Sequence, residues 1–211
     1  MQPHLVHLIC GSTGAGKTTY SLRLSDRLGA VRFSIDEWMA ALFWMDTPQP
    51  LDPAWSMERV ERCLTQIWTV VLQIAARNVP CVLDIGFGQR QSRTRFAELA
   101  TGAGLSVQLH FIDVPAQERW RRVEARNAQK GETYQLGFDV TREMFDFVES
   151  LWEPPTDAEM LAYNGVRAAD REAERLGGAD GGVAGGGTNV HAGEGAGDAD
   201  SRHSQRLRRD L

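Results

Sequence analysis

The chain has 211 residues, 42% of them apolar, and a formal net charge of −5. That length suits one α/β-sized core with residues to spare. The acidic balance argues against a broad nucleic-acid-binding face, and with no run of 18 apolar residues no membrane span is expected.

His4 to Cys10 reads as a short buried strand, and Gly11 to Gly16 as a glycine loop. Lys17 to Leu28 follows as a helix with Tyr20, Leu24 and Leu28 on one face. Val31 to Ser34 is a second strand and Asp36 to Trp44 a short helix. Met45 to Pro53 is a proline-rich loop. Pro53 suits the first turn of a long helix running to about Arg77, with an inward stripe of Val60, Leu64, Ile67, Val71 and Ile74.

Pro80 to Ile85 is a third strand, and Gln91 to Ala103 a helix stopped by glycines. Leu105 to Val114 is a fourth strand. Pro115 opens a helix that carries an arginine series to Arg126. Ala128 to Asp139 is a polar loop, Val140 to Leu151 a helix and Glu153 to Thr156 a turn. Glu159 to Tyr163 is expected as a short fifth strand. The alternation of strand and helix predicts a parallel sheet covered on both faces.

Residues 1–165 are therefore expected to form the α/β domain and 166–176 a helical extension. Residues 177–211 are rich in Gly, Ala and Asp, and the last ten carry four arginines. Such a composition buries too little to offset ordering entropy, so disorder is expected there. The N-terminus lacks the marks of a signal peptide. Cys10, Cys63 and Cys81 have no metal-ligand spacing and fit a reduced, cytoplasmic protein.

Gly11-Ser12-Thr13-Gly14-Ala15-Gly16-Lys17-Thr18 matches G-x-x-x-x-G-K-[ST] completely, between a strand and a helix as the motif requires. In this pattern backbone N–H groups and a helix N-terminus cradle phosphates. Lys17 reaches the β- and γ-phosphates, Thr18 ligates Mg²⁺, and Thr19 continues the cradle. Only two lysines occur in the chain, Lys17 and Lys130, so one kept at this position is informative. The cofactors expected are ATP and Mg²⁺.

Asp36 follows the second strand, on the side where open α/β sheets bind ligands. It can take a proton from an acceptor hydroxyl or cap the next helix. Asp84 ends the apolar run Cys81-Val-Leu, as a Walker B carboxylate does, or fills a turn. Arg119, Arg122 and Arg126 share one helix face; they suit phosphate and adenine, or a solvated face paired with Glu118 and Glu124. Arg90 and Arg93 either hold an anionic acceptor or start a helix. Trp38, with Phe43 and Trp44, either lines an acceptor pocket or joins the core.

On the phosphate loop, Ser34-Ile-Asp36, Val82-Leu-Asp84 and Arg122-Val-Glu-Ala-Arg126, the stretch from Leu5 to Glu159 resembles the AAA-like P-loop kinases. These include chloramphenicol phosphotransferase, the zeta-toxin kinases and the kinase domain of polynucleotide kinase. The resemblance implies a three-layer P-loop fold of kinase type with strand order 2-3-1-4-5. It implies Asp36 as general base, Arg122 near the adenine and Arg126 near the phosphates. The leading expectation is an enzyme that transfers the ATP γ-phosphate to a hydroxyl of a small molecule, working as a monomer or homodimer. A polynucleotide 5′-hydroxyl as acceptor, or a nucleotide-dependent binding module or slow ATPase without acceptor, is the alternative.

Overall fold

In the computed structural model, which describes residues 6–50, 52–128 and 139–168, five strands form one parallel sheet in the order β2-β3-β1-β4-β5. The strands are β1 (Val6–Cys10), β2 (Val31–Ser34), β3 (Cys81–Asp84), β4 (Val107–Ile112) and β5 (Val166–Ala168). β1 is central because it is buried throughout: Val6 aligns with Cys81 on one side and with Val107 on the other. The alternation along β1 decides which helices cover which face. Val6, Leu8 and Cys10 join the core with α3 (Pro53–Ala75) and α4 (Arg90–Gly102). Ile9 points the other way, to Tyr20 and Leu24 of α1 (Lys17–Leu28). His7 lies on that face too, bonded to His110 at 3.0 Å, whose other ring nitrogen meets the Tyr20 hydroxyl at 2.8 Å.

Local signals set the helix ends. α1 stops at Gly29, whose left-handed backbone (φ 59°) returns its N–H to the helix carbonyls. α3 begins with Pro53 after Asp52, which accepts a bond from the Ala54 N–H at 2.9 Å. Its inward face is Cys63, Leu64, Ile67, Val71 and Ala75, matching the expected stripe at its centre. Beyond β4 come α5 (Ala116–Ala128), α6 (Arg142–Ser150) and α7 (Asp157–Ala162). Phe145 of α6 packs with Trp120 and Val123 of α5 in a small core of its own.

The fifth strand is displaced from its expected place. Glu159 to Ala162 lie in α7, and β5 forms at Val166–Ala168, pairing with His110–Ile112. The cause is a capping box. The Thr156 side chain accepts from the Glu159 N–H while Glu159 reaches back to the Thr156 N–H, so the chain nucleates a helix there. β5 also occupies the start of the stretch expected as a helical extension. Residues 169–176, and the tail 177–211 expected to be disordered, lie outside the described residues. Among the described residues no helix is long and apolar enough to cross a membrane.

Candidate active site

The glycine loop turns between Cys10 and Lys17 because its backbone visits conformations that other residues resist. Gly14 has φ 78°, and a β-carbon there would sit 2.5 Å from the Arg119 carbonyl oxygen. Gly16, at the N-terminus of α1, has φ 92°. Lys17 folds back over the loop and its Nζ donates to the Ser12 carbonyl at 3.1 Å. Thr18 and Thr19 are exposed on the first turn of α1.

Two carboxylates bear on Lys17. Desolvation lowers the pKa of its ammonium, and the charges of Asp84 and then Asp36 act in the opposite direction. Asp36 stands in the first turn of α2 (Ile35–Phe43) at an open edge of the site. It does not cap the helix: Ser34 does, accepting from the Glu37 N–H at 3.4 Å. The surrounding protein and then the Asp84 charge raise the Asp36 pKa above its ordinary 3.8, with Lys17 opposing. Asp36 is therefore poised to hold a proton more readily than a free aspartate.

Asp84, 7% exposed, ends β3 in register with Ser34 of β2. Its Oδ2 accepts from Ser21 Oγ at 3.1 Å and from Arg32 Nη2 at 3.0 Å. Among the described residues its Oδ1 accepts no side-chain hydrogen bond.

The arginines of α5 divide by role. Arg119 is buried and braces the loop: it donates to the carbonyls of Val114 (2.8 Å) and Thr13 (3.2 Å) and to Glu149 Oε1 (2.7 Å). Glu149 also accepts from Ser12 Oγ at 3.0 Å, so α6 is tied to the phosphate loop through one carboxylate. Arg119 first, and Ser12 after it, hold the Glu149 pKa below the usual carboxylate range against desolvation. Arg122 bonds Glu118 at 3.1 Å, and its Nη1 is 3.8 Å from where a Gly16 β-carbon would stand. Arg126 Nη2 is a buried atom without a hydrogen-bond partner among the described residues.

Arg93 corrects the expectation that it holds an acceptor. It is fully buried on the inner face of α4 with Phe96, Ala97 and Ala100. Nε and Nη2 form a fork with Glu159 at 2.8 and 3.2 Å, and Nη1 donates to the carbonyls of Glu153 and Phe87 at 2.8 and 3.3 Å. Four of its five N–H groups are committed within the protein, and the side chain is fully buried. The desolvation of Arg93 is offset only while Glu159 stays ionised. Glu159→Gln should accordingly lower the unfolding free energy by about 3–5 kcal/mol, the range for breaking a buried ion pair. Urea unfolding of both proteins checks this; a loss within the scatter of surface substitutions would show that water relaxes the site.

Arg90 is exposed and starts α4, its backbone N–H donating to Glu153 Oε2 at 2.7 Å. Trp38 is half-buried, packing on the core with its ring 6.2 Å from that of Phe33. Trp44 is exposed. A groove of about 1600 Å³ runs along α4, lined by Arg90, Arg95, Glu98, Trp152 and Thr156 among others. It includes none of Lys17, Asp36 or Asp84, so the volume along α4 and the charged cluster are separate features.

Three site neighbours escape a motif reading: Arg32, Ser21 and Glu149. Ser21 lies one turn beyond Thr18, and Arg32 two residues before Ser34, spacings that a sequence alone leaves unpaired. Glu149 reaches the loop from 137 positions away.

The sequence model of the family described as AAA domain matches residues 6–151. No curated protein sequence matches the chain. Among solved structures, a sugar kinase from a Janibacter species is similar at TM-score 0.55 and 17% identity, covering 82% of this chain and 90% of that one. A candidate kinase from Chloroflexus aurantiacus is similar at TM-score 0.61 and 17% identity, with 80% and 89% covered. Kti12 from Chaetomium thermophilum, solved with ADP-AlF3, is similar at TM-score 0.60 and 11% identity, with 81% and 94% covered. At these identities the likeness is one of fold: a parallel five-stranded sheet of the P-loop kinase type.

Proposed function

From the membership of this chain in the AAA domain family, and from its P-loop kinase fold, we propose that it binds ATP with Mg²⁺ and transfers the γ-phosphoryl group to a hydroxyl of a small molecule. The observation that carries this reading is the convergence of Lys17, Asp36 and Asp84 at the end of one complete phosphate loop.

The N–H groups of Gly11 to Thr19 and the Lys17 ammonium bind the phosphates. Thr18 and Asp84 are hard oxygen donors, in the number Mg²⁺ takes from a protein when phosphates and water supply the rest. Among the described residues no larger group of His, Cys, Asp and Glu competes for that role. Bound there, Mg²⁺ would offset charge on the transferring phosphate. Asp36 takes the proton of the acceptor hydroxyl. Arg122, beside Gly16, is placed for the nucleotide, and Arg126 Nη2 is a donor free for a phosphate oxygen. Arg90 and the open edge of Trp38 are the acceptor-side contacts. Three unpaired, buried cysteines suit a reducing compartment such as the cytoplasm.

The test is a screen of hydroxyl compounds with the purified protein and γ-labelled ATP. Label should appear in an acid-stable phosphate ester of one compound class. Label passing only to inorganic phosphate, unaffected by any compound, would make the protein a slow ATPase. Label on an oligonucleotide 5′-hydroxyl, with binding that weakens steeply in salt, would move the acceptor to nucleic acid.

A further inference from the structure

Arg32 belongs to no motif, yet among the described residues it is the cation in an ion pair with Asp84. Its side chain is 9% exposed and each nitrogen of its fork has a separate partner. Nε donates to Ser21 Oγ at 2.7 Å, Nη2 to Asp84 Oδ2 at 3.0 Å and Nη1 to Glu37 Oε1 at 2.7 Å. Ser21 is fully buried, and its single proton is shared between the Thr18 carbonyl (2.9 Å) and Asp84 Oδ2 (3.1 Å). A closed triangle of Arg32, Ser21 and Asp84 therefore joins β2, α1 and β3. One corner also holds the turn of α1 that carries Thr18.

We propose that Arg32 is a positioning residue for the metal side of the site: it pins one oxygen of Asp84 and, through Ser21, the Thr18 turn, so that the second Asp84 oxygen and the Thr18 hydroxyl stand ready for Mg²⁺. This rests on the reading of Thr18 and Asp84 given above. The planar guanidinium is required because two donors must leave it in one plane at fixed separation, to a hydroxyl and to a carboxylate. A lysine supplies the charge without the fork. Groups that hold metal ligands in place set metal affinity by about 10–100-fold when removed.

The experiment is a Mg²⁺ titration of fluorescent ADP-analogue binding, for wild type, Arg32→Lys and Ser21→Ala, with melting temperatures recorded alongside. Arg32→Lys should raise the Mg²⁺ concentration for half-maximal enhancement about tenfold or more, and leave affinity in EDTA unchanged. Ser21→Ala should move the curve the same way by a smaller factor. Arg95→Gln on α4, which breaks an exposed pair with Glu61 of α3, is the control and should not move it. A lower melting temperature with an unmoved Mg²⁺ curve would overturn the proposal and leave Arg32 a brace between strands. An equal loss of affinity in EDTA would overturn it too, by placing Arg32 on the nucleotide. If Arg32→Lys does not fold, Ser21→Ala decides alone, and an unmoved curve rejects the triangle. The phosphate-loop reading fails separately, on Lys17→Ala.

Discussion

Lys17→Ala should lower turnover by about two to three orders of magnitude, the usual cost of removing one group aimed at transition-state charge. It should also weaken Mg-ATP binding. The ammonium is the cation set among Ser12, Asp84 and Asp36. Without it the γ-phosphate approaches two carboxylates with one positive charge fewer, and repulsion adds to the lost attraction. No lysine nearby in the sequence can substitute, since the only other one is Lys130. The fold should survive, because among the described residues the Lys17 side chain makes one hydrogen bond, to a carbonyl of its own loop. Mg-ATP titration, turnover and circular dichroism on both proteins check this. Unchanged affinity with unchanged turnover would reject the phosphate-loop assignment.

Asp36→Asn should keep Mg-ATP binding and lose phosphoryl transfer by about two to four orders of magnitude, the range for a positioned base. The asparagine keeps the shape and loses the proton acceptor. Helix α2 should be unaffected, because Ser34 and not Asp36 caps it. The pH dependence supplies a second reading. The base works ionised and its pKa is raised above 3.8. Activity should therefore fall with decreasing pH through a pKa above that value, and Asp36→Asn should remove this acid limb from kcat/KM. Asp84→Asn should instead raise the Mg²⁺ requirement. Rescue of Asp36→Asn by excess Mg²⁺, with none for Asp84→Asn, would reverse the two roles. An acid limb unchanged in Asp36→Asn would mean that another group takes the proton.

What the sequence made legible follows how local each signal is. The phosphate loop is eight consecutive residues with one geometry, and α1, β1 and the stripe of α3 follow from period and composition. β5 was misplaced although a local signal existed. Thr156 and Glu159 are spaced as a capping box, which outweighs the apolar residues after them. Arg93 was legible too. It shares a face with Phe96, Ala97 and Ala100 at helical spacing, so α4 must bury it and some carboxylate must meet it. That this carboxylate is Glu159 was not legible, because 66 residues separate them. The same holds for Arg32 with Asp84 and for Glu149 with Ser12: each contact exists only once the sheet has brought distant segments together.

The burial of the three thiols has a use at the bench. Cys10, on the strand that feeds the phosphate loop, donates to the Phe87 carbonyl at 3.1 Å, and burial pushes its pKa up to about 11. Burial likewise lifts the thiol of Cys81 to about 11, and raises that of Cys63. A thiol reagent at neutral pH thus finds neither thiolate nor access until the chain opens. Labelling kinetics of the unaltered protein become a stopwatch for opening, with separate probes on β1, α3 and β3. A nucleotide bound at the neighbouring loop should slow that clock in proportion to how tightly it binds.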